Sequence, residues 1–371
     1  MAIPLARPEV TDGDIAAVVE VLKSDRLALG PKLVGFEEAV AAYVGVRHAV
    51  AVNSGTSALH LLVRSLGLGE GDEVITTPFS FIASTNCILF ERARPVFVDI
   101  DPVTLCIDPQ QIETAITPRT KAILAVDVFG HPADWDAIER IAAARGLVLI
   151  EDSAEALGTS VNGRHCGSFG RAGIFGFYPN KQITTGEGGV LVTDDASLAG
   201  TCRSLADQGR GDGGWLSHVR LGYNFRLDEM SAALGLSQLA RIETIVADRA
   251  RVAGWYLDGL QNVEGVVLPT VLPGVRMSWF VFVVRLSRVF TRSDRDRILG
   301  ELARHGIGCR NYFQPIHLQP YIRQLLGARK GDFPVTEAVG DRSISLPFYN
   351  RLERENVDRV VEALAGAVRR G

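Results

Sequence analysis

The chain contains few lysines: Lys23, Lys32, Lys121, Lys181 and Lys330 are the whole set, against many arginines. Cysteine is also sparse. Cys87, Cys106, Cys166, Cys202 and Cys309 are odd in number and never fall in a C-x-x-C pair, which argues against a disulfide framework or a zinc site. They read as reduced thiols of a cytoplasmic protein. No apolar run approaches the ~18 residues that a membrane span requires. The opening Met-Ala-Ile-Pro-Leu-Ala-Arg-Pro lacks the basic and then apolar stretches of a signal peptide. No block of like charge occurs and the net charge is only -4, so neither nucleic acid nor a membrane surface is indicated as a partner. Internal repeats and low-complexity tracts are absent, and the 38 glycines are spread through turns.

What remains is a chain of 371 residues, 47% hydrophobic and 22% charged, long enough to bury a large core. Strand-like runs at 73–77, 95–99, 122–127, 147–152, 174–177 and 190–193 alternate with helical stretches such as 133–145. Such alternation predicts an α/β fold with a mostly parallel sheet covered on both faces. Helical patterns at 12–24 and 34–43 precede it and would pack back on the body. Long amphipathic helices at 228–241 and 242–260 follow, then a core strand at 277–286, a helix at 292–305 begun by Thr291 or Ser293, and a closing helix at 354–368. The division this suggests is a large domain over 1–240 and, over 241–371, a connecting helix with a small C-terminal α/β domain.

Within this frame Lys181 stands out. It lies in a polar, glycine-rich turn, residues 177–189, between two apolar runs. Arginine stays protonated, whereas a desolvated lysine can release its proton and attack a carbonyl to form a Schiff base. Upstream, the apolar run 147–150 ends in Glu151 and Asp152. The carboxyl end of a parallel strand is where open α/β sheets bind ligands, so Asp152 would sit at the rim of a site, with Glu151 beside it. Further upstream, residues 49–59 pass from a strand-like run through Asn-Ser-Gly-Thr-Ser into an apolar helix face. That start offers free amides and hydroxyls suited to a phosphate, and equally to simple capping by Ser54 or Thr56. A phosphate cradle, a carboxylate able to keep a pyridine nitrogen protonated and a lysine able to carry an aldehyde together describe a site for pyridoxal phosphate.

Five segments carry a family resemblance: Asn-Ser-Gly-Thr-Ser-Ala-Leu (53–59), Pro-Phe-Ser-Phe-Ile-Ala-Ser-Thr-Asn (78–86), Glu-Asp-Ser-Ala-Glu-Ala-Leu-Gly (151–158), Lys-Gln-Ile-Thr-Thr-Gly-Glu-Gly-Gly (181–189) and Gly-Tyr-Asn-Phe-Arg-Leu (222–227). In this order they resemble the DegT/DnrJ/EryC1/StrS sugar aminotransferases, and the resemblance runs from Pro4 to the closing helix. It implies the pyridoxal-phosphate-dependent type I fold of aspartate aminotransferase. It also implies Lys181 as the cofactor lysine and proton shuttle, Asp152 as partner of the ring nitrogen, and Phe81 as the stacking aromatic, although an aromatic there is also commonly a core residue. Gly55, Thr56 and Ser57 would bind phosphate. Asn224 would reach the phosphate of the neighbouring subunit, making the enzyme a homodimer with shared active sites. Two residues depart from the common pattern. Gly176 stands where many relatives have serine, and Glu155 stands where Gln or His is common near the cofactor's phenolic oxygen.

The resemblance further implies transfer of an amino group from L-glutamate to a keto group of a nucleotide-linked sugar, releasing 2-oxoglutarate. The preferred position is C4 of a dTDP-4-keto-6-deoxyhexose, with a 3-keto sugar as the alternative. His317 and Tyr312 fall in the loop near the sugar site, though capping of a proline-flanked turn describes His317 equally well. A cofactor-binding regulator is disfavoured because such a protein has no use for both Lys181 and Asp152. The family's dehydratases are disfavoured because they carry His in place of that lysine.

Overall fold

The computed structural model describes residues 2–214 and 216–370. Its strands are β1 (His48–Val52), β2 (Glu73–Thr76), β3 (Arg94–Phe97), β4 (Thr120–Val126), β5 (Val148–Asp152), β6 (Ser160–Val161), β7 (Arg164–His165), β8 (Ala172–Gly176), β9 (Gly189–Thr193), β10 (Val266–Val267), β11 (Val275–Arg276), β12 (Phe282–Leu286) and β13 (Ser343–Leu346). Seven of them form one sheet in the order β1-β9-β8-β5-β4-β2-β3. Pairing is parallel from β3 through β2, β4 and β5 to β8, and β9 alone runs against its neighbours. The α/β sheet predicted from strand and helix alternation is therefore present, with one reversed strand. That reversal follows from the chain itself, because β8 returns as β9 through the connection 177–188 without a crossover helix.

Alternation along the strands feeds two cores. In β9, Val190 and Val192 join the cluster of Phe36, Phe175 and Phe177, while Leu191 joins the cluster of Leu61, Ile123 and Ile150. A period of two makes this unavoidable in a sheet covered on both faces. Helices Gly55–Ser65, Ala83–Phe90, Trp135–Arg145 and Ala196–Ala206 build the larger cluster, and helices Pro31–Val44 and Glu229–Leu239 the other. The opening helices Asp12–Leu22 and Pro31–Val44 both pack on Glu229–Leu239. Buried Glu229 fixes the second of them by accepting the Gly30, Lys32 and Leu33 N–H groups at 3.0, 2.8 and 2.8 Å, which satisfies a helix start that has no side-chain cap of its own.

Helix Ile242–Leu260 leads to an antiparallel sheet, β10-β12-β13, flanked by helices Arg292–Arg304 and Arg354–Arg369 around Tyr256, Phe282 and Phe348. The strand predicted over 277–286 is shorter than expected, since only Phe282–Leu286 pairs. Residues 277–281 instead bring Phe280 to Lys181 and Ser278 to Gln182. The Trp279 and Phe280 carbonyls accept hydrogen bonds from the Arg249 guanidinium, at 2.7 Å each, in place of a strand neighbour. Short helices Pro109–Ala115, Pro320–Leu326 and Pro334–Arg342 were not anticipated; each begins with a proline at its first position, a signal too local to separate from a turn. Among the described residues no helix is long and apolar enough to cross a membrane.

Candidate active site

The connection 177–188 is pinned at several points. The Phe177 N–H donates to the Gly188 carbonyl at 2.9 Å, and the Phe177 carbonyl accepts from the Thr185 N–H and the Thr184 hydroxyl. Gln182 Nε2 donates to the Glu155 carbonyl at 2.7 Å and to Ser278 Oγ at 2.8 Å, and Gln238 receives the Thr184 N–H. A loop so held presents one side chain reproducibly. Lys181 Nζ lies 3.7 Å from Glu155 Oε1 and 3.9 Å from the centre of the Phe280 ring, with its side chain 13% exposed. Burial lowers the lysine pKa, while the carboxylates of Glu155 and Asp152 oppose the shift. The amine is thus poised to lose its proton more readily than an exposed lysine.

Asp152 closes β5. Its Oδ2 accepts the Ser84 hydroxyl at 2.7 Å, its Oδ1 accepts the Ala154 N–H at 3.2 Å, and Ser84 is itself 2.9 Å from Ser80. Burial raises the carboxyl pKa, while Ser84, the Ala154 N–H and Lys181 hold it down. Glu155 is oriented from the other side: Oε2 accepts the Phe129 N–H at 2.8 Å. Burial raises its pKa too, and Lys181 is the leading influence against that rise.

Helix Gly55–Ser65 points its N-terminus at the same region, resting on Gly176 of β8 and Gly189 of β9. A Cβ on Gly189 would come within 2.5 Å of the Gly55 nitrogen, so only glycine lets the helix start approach β9 this closely. Ser54 is the cap: its hydroxyl accepts the Ser57 N–H at 3.1 Å. Ser57 in turn donates its hydroxyl to Asn53 Oδ1 at 2.7 Å. The amides of Gly55 and Thr56 have no acceptor among the described residues. Of the three residues assigned to phosphate, Gly55 and Thr56 keep free donors, whereas Ser57 has both groups engaged. Gly176 lies close by, and a Cβ there would meet nothing nearer than 3.7 Å; glycine is not sterically required at this position, and Lys181 Cε is 4.0 Å from that point.

The remaining assigned residues fall in different circumstances. Phe81 is 62% exposed, so it is not a core residue; the Ser80–Ser84 contact holds its turn beside Asp152. Tyr312 stacks on Phe129 at 6.4 Å and on Phe313 at 5.2 Å, and its hydroxyl is raised in pKa by burial and then by Glu155. His317 is fully buried, with Nε2 3.0 Å from Glu337 Oε1 and its ring edge against Phe333. Those contacts tie His317 to Phe333 and to helix Pro334–Arg342 rather than to the backbone of its own proline-flanked turn, and its Nδ1 has no partner among the described residues. Asn224 is exposed on a segment bridged to Asp207, and no side-chain hydrogen bond ties it to Lys181 or to the helix start of its own chain among the described residues. Sequence reasoning missed Ser84, Phe280 and Gln182. Ser84 carried a signal, being four residues after Ser80 at a helix start, but Phe280 comes from an apolar window with no mark of the site.

The set fits pyridoxal phosphate in three separate respects: unpartnered helix-start amides for a phosphate, a buried carboxylate for a ring nitrogen, and a buried amine for an aldehyde. Comparison with known proteins agrees. Residues 8–365 match the model of the DegT/DnrJ/EryC1/StrS aminotransferase family. The chain is 38% identical to GDP-perosamine synthase of Caulobacter vibrioides, covering 98% of this chain and 97% of that protein, and 38% identical to the spore coat polysaccharide biosynthesis protein SpsC of Bacillus subtilis, covering 99% and 97%. Among solved structures, Helicobacter pylori PseC, an aminotransferase of pseudoaminic acid biosynthesis, superposes with a TM-score of 0.96 at 30% identity over 100% of both chains. S. venezuelae DesV gives 0.90 at 38% identity, covering 96% of this chain and 95% of that one. The chain belongs to the DegT/DnrJ/EryC1/StrS aminotransferase family, whose members depend on pyridoxal phosphate.

Proposed function

We propose, taking membership of this family as the premise, that the chain moves an amino group from L-glutamate to the keto group of a nucleotide-linked deoxysugar, with C4 of a dTDP-4-keto-6-deoxyhexose as the position acted on. The observation that carries the reading is the convergence of a buried, proton-releasing Lys181 and a buried Asp152 on one strand-end site beside free helix-start amides. A regulator or scaffold has no need for that combination. The sugar substrate is supported by what the relatives are named for, GDP-perosamine synthesis and polysaccharide biosynthesis among them.

When bound, pyridoxal phosphate supplies an aldehyde and an electron-withdrawing pyridine ring. Lys181 would hold the aldehyde end, and its amine could carry a proton to and from the reacting carbon as general base and acid. Asp152, oriented by Ser84, would keep the ring nitrogen protonated through a charge-assisted contact. Gly55 and Thr56 would donate their amides to the phosphate at the positive end of the helix. Phe81 would cover a ring face, and Glu155, held by the Phe129 N–H, would stand near the phenolic oxygen. Tyr312 borders the sugar pocket, and His317 shapes its loop from beneath through Glu337. Asn224 serves the phosphate of a second subunit, so the working unit is a cytoplasmic homodimer. Each subunit divides into a large domain over 1–240 and a connecting helix with a small domain over 241–371. The net exchange turns L-glutamate and a keto sugar into 2-oxoglutarate and an amino sugar, and needs no outside oxidant.

The test is to add dTDP-4-keto-6-deoxyglucose and L-glutamate to protein loaded with pyridoxal phosphate, follow the visible spectrum, and identify the product by mass and NMR. A 4-amino sugar from the wild type, with the cofactor band abolished and turnover lowered by about four orders of magnitude or more in Lys181→Ala, is the expected result. A glutamate-dependent spectral change without a 4-amino product moves the reaction to a 3-keto or other nucleotide sugar. No band at saturating cofactor would sink the lysine assignment.

A further inference from the structure

Both proposed substrates are anions, and a site that binds them needs a cation beyond the lysine that does the chemistry. Most guanidinium groups of this chain that lie near a site element already face a carboxylate: Arg64 faces Glu91, Arg203 faces Glu37 and Arg226 faces Asp207. Arg310 differs. Its side chain is exposed, its one hydrogen bond is from NH1 to the adjacent Cys309 carbonyl at 3.0 Å, and no carboxylate lies within ion-pair distance among the described residues. The backbone beneath it is fixed, by the Ser345 N–H donating to the Arg310 carbonyl at 2.8 Å and by the Arg310 N–H returning to the Ser345 carbonyl at 3.3 Å. The next residue, Asn311, anchors to the Gly340 carbonyl at 2.7 Å.

That anchored segment leads directly into the site. Two residues on, Tyr312 stacks on Phe129, whose N–H holds Glu155, whose Oε1 is 3.7 Å from Lys181 Nζ. Burial and then the charge of Glu155 raise the Tyr312 pKa, and Arg310 is a smaller influence against that rise. Arg310 thus stands two residues before a ring that packs at the site Lys181 faces. Its backbone is pinned to Ser345, and apart from the NH1 bond to Cys309 its guanidinium donors have no partner among the described residues.

We propose that Arg310 receives the oxyanion of an incoming substrate at this site, either the carboxylate of the amino donor or the diphosphate of the nucleotide sugar. Arginine suits both, because its planar fork makes two parallel hydrogen bonds to carboxylate or phosphate where a lysine offers a point charge. The assignment rests on the aminotransferase reading above and names the residue that recognises its substrate.

The experiment compares wild type, Arg310→Gln and Arg310→Lys, each loaded with pyridoxal phosphate, in two separate single-turnover half-reactions: conversion of the loaded protein by L-glutamate, and reaction of the amine-loaded protein with the nucleotide keto sugar. Binding of dTDP and of 2-oxoglutarate is measured in parallel by calorimetry. The expected result for the Gln variant is a loss of apparent affinity of roughly ten- to hundredfold, with an unchanged melting temperature and partial recovery in the Lys variant. A loss in the glutamate half-reaction and 2-oxoglutarate binding assigns Arg310 to the carboxylate. A loss in the sugar half-reaction and dTDP binding assigns it to the diphosphate. Values within about twofold of wild type in every assay overturn the proposal. If the wild type itself fails to react with L-glutamate, the aminotransferase reading falls, while calorimetry of the two probes still decides whether Arg310 holds an anion.

Discussion

Glu151 and Asp152 are neighbours at the end of β5, both carboxylates and both buried, yet their surroundings are opposite. Glu151 Oε1 accepts the Gly167 N–H at 2.5 Å and lies 2.9 Å from the Ser153 hydroxyl, and Oε2 accepts the Phe169 and Gly170 N–H groups at 2.8 and 3.4 Å. Every lone pair has an occupant, and the carboxyl fastens the turn 167–170 to the sheet. Asp152 has Ser84 and the Ala154 N–H, and remains open toward Lys181. The strand's period of two sends adjacent side chains to opposite faces. One face uses its carboxyl to hold the fold, and the other leaves its carboxyl with capacity for a ligand. What separates a structural from a chemical carboxylate here is how many donors the fold has already supplied.

The sharpest way to break that comparison is a pair of amide substitutions. Asp152→Asn should fold normally and lose roughly 10²–10³-fold in kcat, as removal of one preorganised electrostatic partner generally does. Glu151→Gln should keep the turnover of its folded fraction within a few-fold while losing about 1–3 kcal/mol of stability, because an amide oxygen cannot replace four contacts to two carboxylate oxygens. Steady-state rates normalised to cofactor content, with denaturant melts alongside, check both. The opposite pattern would show that the two faces have been read the wrong way round.

A pH series sharpens it further. Burial, and then the charge of Asp127, push the Glu151 carboxyl well above the ordinary range, and Asp127 is itself raised by burial. Ser153 sits between them, 2.6 Å from Asp127 Oδ2, and a single hydroxyl hydrogen cannot serve both neighbours, so the pair retains a proton. A carboxyl whose folded pKa is raised contributes stability that is complete below its unfolded pKa of roughly 4.3 and is lost as pH rises through the folded value. Wild-type stability should therefore decline from mildly acid pH upward on account of this pair, and Glu151→Gln should flatten the decline. Parallel melting curves for the two proteins across that range would remove the pair from the account.

Much of this was legible in the sequence. The alternation of strand and helix gave the parallel sheet, and the helices around 242–260 and 292–304 were anticipated almost to the residue because their apolar spacing is long and regular. Lys181 stood out because its residue type is rare in this chain. The order of roles was harder. Ser57 looked like a phosphate ligand, and the structure shows its amide capped by Ser54 and its hydroxyl on Asn53, a competition between two local acceptors that spacing alone does not rank. Phe280 was not singled out because it reaches Lys181 through tertiary packing from an apolar window, a placement that leaves no local pattern.

Glu155 tests the chemical face by itself, with the smallest expected effect. Its carboxylate is the leading influence that keeps the Lys181 proton on, against a burial that drives it off. Glu155→Gln removes that charge, and the new amide oxygen can still accept the Phe129 N–H, so the turn at Phe129 should survive. The lysine should then lose its proton at lower pH than in the wild type. Because only the neutral amine attacks an aldehyde, the rising limb of the rate of pyridoxal phosphate uptake by the apo protein should move toward acid in the variant. A limb that stays in place, or moves toward alkali, would mean that Asp152 alone sets the charge state of Lys181. In that case the 3.7 Å approach of Glu155 is a packing contact, and its carboxylate belongs with Glu151 among the groups that hold the fold.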